Sequence, residues 1–202
     1  MSKRAGAVSA ETKECILQAA REEFALRGFQ GSSLRRICAA AGVTTGALYF
    51  FFQGKDDLFE TVLSTVTRPV TAFLKEHYVS ERGFAEKSLG QGEQEDLEVT
   101  VQLIDLYFEN RLTWDIILTH QSHPAVRRFL EDYVQYSTDH YMDILTMAGR
   151  PTDRFTVHLF AHTQADAFLT LIAQDYTRDE MVEHSKTVIK MLRGAFFALL
   201  QN

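Results

Sequence analysis

Residues 32–49, Ser32-Ser33-Leu34-Arg35-Arg36-Ile37-Cys38-Ala39-Ala40-Ala41-Gly42-Val43-Thr44-Thr45-Gly46-Ala47-Leu48-Tyr49, constrain the fold more than any other stretch. A serine precedes each possible start of a first short helix, which runs to Ala41. Gly42-Val43 breaks it, and Thr44 can cap a second helix that runs to Phe51. Two short helices joined by so tight a turn form a helix-turn-helix, whose second helix enters the DNA major groove.

The residues fit that geometry chemically. A base-reading helix needs a small, exposed first turn, and Thr44, Thr45, Gly46 and Ala47 supply one. Tyr49 is placed to reach a phosphate with its hydroxyl. Arg35 is placed to reach a guanine edge in bidentate fashion. Lys55 sits at the start of a further helix, where free backbone N–H groups also bind phosphate. Val43, Leu48, Ile37 and Leu34 form the apolar side of the motif.

The net charge of −6 argues against nucleic acid until it is mapped along the chain. Residues 1–55 hold eight Lys/Arg against four Glu, an excess of four positive charges. The remaining residues hold thirteen basic and twenty-three acidic side chains. The positive part coincides with the helix-turn-helix, and local charge, not whole-chain charge, governs phosphate binding.

Apolar residues recur at helical spacing nearly throughout, only three prolines occur, and no stretch alternates as a strand would. The pattern predicts an all-α protein of about nine helices: an N-terminal DNA-binding trio followed by a larger C-terminal bundle. The expected spans are 10–27 (stopped by Gly28), 33–41, 44–51, 55–79, 93–110, 112–121, 124–149, 151–174 and 178–200. The expected division places a DNA-binding domain at 1–58 and a bundle at 59–202. A polar, glycine-containing connector covers 82–92. Cys15 and Cys38 both lie among apolar residues and read as buried reduced thiols. There is no membrane-length apolar run and no signal-peptide core, which places the protein in the cytoplasm.

The run Thr12, Ile16-Leu17-Gln18-Ala19-Ala20, Phe24, Gly28-Phe29, residues 32–37, residues 41–49, Phe52, Lys55 and Leu58 resembles, without a gap, the DNA-binding domain of the tetracycline-repressor (TetR/AcrR) family. The resemblance implies a homodimer, a double-stranded operator with dyad symmetry, and release of DNA when a small molecule occupies the bundle. On the matching positions it implies DNA contacts from Ser33, Arg35, Thr44, Thr45, Gly46, Tyr49 and Lys55. Two departures stand out: Ala47 replaces a common threonine, and Phe50-Phe51-Phe52 replaces a more polar run.

The bundle offers two further expectations. Broad apolar faces on the last two helices, including Phe160, Phe168, Val188, Leu192, Phe196 and Leu199, suit a four-helix dimer interface. Aromatic and polar residues on earlier faces suit a pocket for a small apolar or aromatic effector of unknown identity, with Tyr107, Trp114, His120, Tyr133, Tyr141, His162 and Asp166 as candidates. No cofactor, resident metal or catalytic residue is expected. His158, His162 and Asp166 share a helix face at a spacing that can hold zinc, yet such a face is more often solvated. Two rivals remain open: an architectural or division-control DNA-binding protein without an inducer, and an enzyme built on that histidine face.

Overall fold

The computed structural model describes the backbone of residues 2–82, 92–150 and 152–201, and the side chains of 9–78, 92–150 and 152–199. Among the described residues there are nine helices and no strand. They are α1 (Ser2–Gly31), α2 (Leu34–Ala40), α3 (Thr45–Phe51), α4 (Lys55–Arg82), α5 (Glu93–Glu109), α6 (Arg111–Thr119), α7 (Pro124–Met147), α8 (Arg154–Ile172) and α9 (Arg178–Gln201). The polar connector falls largely outside the described residues.

The chain forms two compact units. One comprises residues 1–67 with 110–126, the other 68–109 with 127–202. The boundary at 58 suggested by composition therefore falls inside α4, and the chain changes unit nine residues later. Pro69 lies just beyond that point within the helix. It lacks an N–H, so one bond of the helical ladder is absent there. Residues 110–126, which hold α6, return to the N-terminal unit, an association that local sequence pattern does not encode.

The N-terminal unit is built on the apolar ladder of α1. Ile16, Ala20 and Phe24 are buried, as are Ile37, Leu48, Phe52, Leu58 and Phe59. Gly28 ends the regular part of α1 with φ 68° and ψ 169°, a left-handed φ that favours glycine. Gly42 makes the turn between α2 and α3 with φ 67°. Cys38 is buried, and burial pushes its thiol up. Cys15 is exposed, contrary to its apolar sequence setting, because the helix turns its neighbours Ile16 and Leu17 inward and not Cys15 itself.

In the C-terminal unit α9 packs on both α5 and α8. Its core includes Ile104, Tyr107, Leu145, Val157, Ile172 and Met181. No helix among the described residues is long and apolar enough to cross a membrane.

Candidate nucleic-acid interface

The helix-turn-helix is fixed from below. Leu48 is fully buried and anchors α3, while Thr44 Oγ1 accepts the Ala47 N–H at 3.1 Å and caps it. The outer side of α3 is consequently held open to solvent: Thr45, Gly46 and Tyr49 are exposed, and so is Arg35 on α2. Tyr49 is 59% exposed, so its hydroxyl is available to a partner. The structure thus brings five of the seven sequence-named residues, Arg35, Thr44, Thr45, Gly46 and Tyr49, to the solvent side of one motif.

The other two are engaged within the unit, Ser33 through its backbone N–H and Lys55 through its side chain. Ser33 occupies the cap position of α2, but its side chain makes no cap bond. The cap comes from α1 instead: Glu23 Oε1 accepts the Ser33 N–H at 3.1 Å and the Arg36 Nε–H at 2.7 Å. Burial raises the Glu23 pKa, but the bonds from Arg36 and the Ser33 amide, with the charges of Arg36 and Arg27, outweigh it and hold the carboxyl below its usual range. Arg36 is thereby tied to the protein and Arg35 left outward. Lys55 also turns inward. Its ammonium donates to the Phe29 carbonyl at 2.8 Å and the Ser32 carbonyl at 3.4 Å, and lies 4.5 Å from the Phe29 ring centroid. A cation on these carbonyls satisfies acceptors at the end of α1. Lys55 thus joins α4 to the turn before α2.

A histidine pair completes this arrangement. His120 Nε2 accepts the Phe29 N–H at 2.9 Å. That places the ring proton on Nδ1, which donates to the Ile116 carbonyl at 2.9 Å. A Cβ at Gly28 would come within 3.2 Å of His120 Nε2, a second reason for glycine there. His123 Nδ1 accepts the Ala125 N–H at 3.2 Å and caps the start of α7. Its ring sits 4.4 Å from Phe59 and 4.6 Å from Phe29. Sequence reading places His120 at a pocket rim; the structure instead uses it to lock the turn after α1.

The His123 ring makes stability pH-dependent. Burial lowers the His123 pKa from its ordinary 6.5, the neighbouring His120 lowers it further, and Asp56 and Glu60 oppose the shift without cancelling it. The folded state therefore favours the neutral ring. Its contribution is complete above about pH 6.5 and is lost as the pH falls through the lower folded value, because there the unfolded chain binds more protons. Protonation at Nδ1 would also remove the acceptor for Ala125. Denaturation midpoints should fall between pH 7.5 and 5.5, and His123→Gln should flatten that dependence. An equally steep profile in the variant would assign the effect to other groups.

The C-terminal unit contains a cavity of about 190 Å³. Tyr78 (α4), Tyr133 and Tyr141 (α7), Phe160 (α8), and Phe196 and Phe197 (α9) give it an aromatic lining. Arg193 Nη1 pairs with Asp96 Oδ2 at 2.6 Å on its wall, and the Tyr141 hydroxyl donates to Gln164 Oε1 at 3.0 Å. Burial pushes the Tyr133 hydroxyl up, against hydrogen bonds with Ser137 and Tyr78 that lower it, so the group is neutral.

Of the residues named for an effector, Tyr133 and Tyr141 line this cavity. Tyr107 is buried in the core beside Phe108, and Trp114 is buried in the other unit. His162 and Asp166 pair with each other at 3.0 Å on an exposed face of α8, and His158 Nδ1 lies 3.2 Å from Thr138 Oγ1. No group of three metal-binding side chains comes together among the described residues. Of the residues named for a dimer interface, Phe160, Leu192 and Phe196 face the cavity, while Phe168, Val188 and Leu199 are half-buried. The outward apolar residues are Phe155 and Leu159 on α8 and Met191 on α9, with Gly194, Ala195 and Ala198 beside it. Periodicity shows a stripe but not which edge a neighbour covers. The Asp96–Arg193 pair joins residues far apart in sequence, and no local signal identifies it.

Known proteins agree with this architecture. Residues 16–62 match the family model for bacterial regulatory proteins of the tetR family. The chain is 43% identical over 67 residues to the HTH-type transcriptional repressor BepR of Brucella suis, a match covering 33% of this chain and only 32% of that protein. It is 30% identical over 197 residues to the HTH-type transcriptional repressor AcnR of Corynebacterium glutamicum, covering 91% of this chain and 93% of that repressor. A solved TetR/AcrR-type transcriptional regulator from Aquifex aeolicus shares the fold, with a TM-score of 0.64 at 17% identity over 90% of this chain and 99% of that one. With its helix-turn-helix intact and its likeness to AcnR running nearly end to end, this chain belongs to the TetR family of DNA-binding transcriptional regulators.

Proposed function

We propose that the protein is a cytoplasmic, homodimeric repressor that binds a dyad-symmetric operator and leaves it when a small apolar or aromatic molecule fills the C-terminal cavity. The observation that carries this reading is the exposed outer side of α3, with Thr45, Gly46 and Tyr49 outward above a fully buried Leu48. Arg35 adds a cation on α2, and Ser33 and Lys55 hold the motif in place. Dimerisation would use the apolar edge of α8 and α9 at Phe155, Leu159 and Met191. Two recognition helices must then reach successive major grooves about 34–36 Å apart. A ligand that favours another spacing weakens binding, a coupling typically worth about 1–3 kcal/mol.

The cavity volume limits the effector. An apolar cavity of about 150 Å³ accepts benzene, so about 190 Å³ suits a single-ring molecule with one or two polar substituents. No resident cofactor is needed in this scheme.

The test is binding of purified protein to genomic fragments, including DNA flanking its own gene, at two salt concentrations. The expected result is a saturable, salt-sensitive complex on a dyad-symmetric site. Tyr49→Ala should weaken it about tenfold or more, the worth of a hydrogen bond to a charged group, without changing the melting temperature. Unchanged affinity would remove Tyr49 from the interface. Single-ring aromatics that raise the melting temperature and dissociate the complex support the inducer arm. If none does so, the protein is better described as an architectural DNA-binding protein.

A further inference from the structure

Phe50 is the most exposed large apolar side chain among the described residues, at 78%. It lies on the recognition helix, directly after Tyr49. Leu48, fully buried, marks the inward direction of α3. At about 100° per residue, positions two before and two after Leu48 point almost opposite to it. Those positions are Gly46 and Phe50, one helical turn apart on the same outward line. Gly46 brings the helix backbone close to whatever it faces, and Phe50 then reaches furthest from the helix axis. Its ring is held edge-to-face by Phe51, with centroids 5.0 Å apart and planes at 87°.

A phenyl ring can neither donate to a phosphate nor pair with a base edge. In the major groove the apolar feature that distinguishes one base pair from the others is the thymine C5-methyl group. We propose that Phe50 is a specificity-determining residue that reads thymine methyl groups in each operator half-site. This rests on the DNA-binding reading above, since the groove must first accept α3. It follows from the placement of Phe50 in line with Gly46, and it adds a residue to the interface that polar chemistry alone would omit.

The experiment begins with the operator selected by the wild-type protein. Each thymine is replaced in turn by uracil, which pairs identically but lacks the methyl group. At one or two positions per half-site, uracil should weaken wild-type binding about fourfold per methyl, equivalent to about 0.8 kcal/mol for a buried methyl-sized group. Phe50→Ala should bind the thymine operator less tightly and no longer distinguish thymine from uracil. Phe50→Leu should keep part of the discrimination. Both variants alter an exposed residue, so their melting temperatures should match the wild type. The proposal is overturned if the wild type tolerates uracil everywhere, if Phe50→Ala remains as methyl-sensitive as the wild type, or if the half-sites contain no thymine. Failure of the wild type to select any DNA appears before the first replacement and overturns the DNA-binding reading as well.

Discussion

Phe59→Ala should cost the protein about 3–5 kcal/mol, the usual range for emptying a fully buried aromatic site. Phe59 is entirely inaccessible. Its ring meets Phe24 at 5.0 Å, Phe29 at 5.0 Å, His120 at 5.8 Å and His123 at 4.4 Å. Four rings from two segments of the N-terminal unit, α1 and the turn after α6, converge on this one side chain of α4, so the void cannot close by moving one neighbour. Against a typical total of about 5–15 kcal/mol, the loss removes a large share of the unit's stability. The melting temperature should fall by roughly 10 °C, given about 2–4 °C per kcal/mol at this chain length. Trypsin should then cut sooner at Arg27 and Arg35, both exposed in the same unit. Phe59→Leu keeps most of the volume and should cost under about 1.5 kcal/mol. A loss below about 1 kcal/mol for the alanine variant would mean that the cluster does not organise the unit.

Gly46→Leu should do the opposite: leave the fold intact and abolish operator binding. A Cβ at position 46 meets only Thr44 Oγ1, at an ordinary 3.8 Å, so the protein has room for it. Helix propensity favours the replacement by up to about 1 kcal/mol, and the melting temperature should hold or rise. On the proposed reading, the space it fills is the space into which a base edge comes. A leucine there would push α3 away and lengthen the contacts proposed for the same face, including those of Thr45 and Tyr49. The expected loss of affinity is about 100-fold or more, comparable with losing one or two base contacts of about 1–3 kcal/mol each. Gly46→Ala should fall between. Quantitative DNA binding beside a melting curve separates the effects, and wild-type affinity for the leucine variant would show that this face of α3 does not approach the bases.

These two residues also mark how far the sequence could be read. Gly46 is legible because its meaning is local. A capped helix start, a glycine-bearing turn and an exposed first turn are properties of residues within a few positions of one another, and α2 and α3 form as predicted. The break at Gly28, the cap at Thr44 and the apolar ladder of Ile16, Ala20 and Phe24 belong to the same class. Phe59 and its neighbours are different. Phe29 and His120 are 91 positions apart, and Lys55 closes a helix end 26 positions away. Local pattern points His120 to a pocket and Lys55 to a phosphate because it carries only their chemistry and not their neighbours. The cap of α2 is also non-local: Glu23 of α1, ten positions away, accepts the Ser33 N–H.

The sequence by itself determined the all-helical class, the position of the helix-turn-helix, the concentration of positive charge beside it and the outward residues of the recognition helix. Each follows from short-range periodicity, capping and charge, which act within one or two helical turns. Tertiary structure alone decided that residues 110–126 join the DNA-binding unit, that Phe160, Leu192 and Phe196 line a cavity while Phe155, Leu159 and Met191 face outward, and that Asp96 pairs with Arg193. An amphipathic helix specifies that one face is buried but not against which partner. That choice is made by the packing of all the helices together, through contacts that no local window contains.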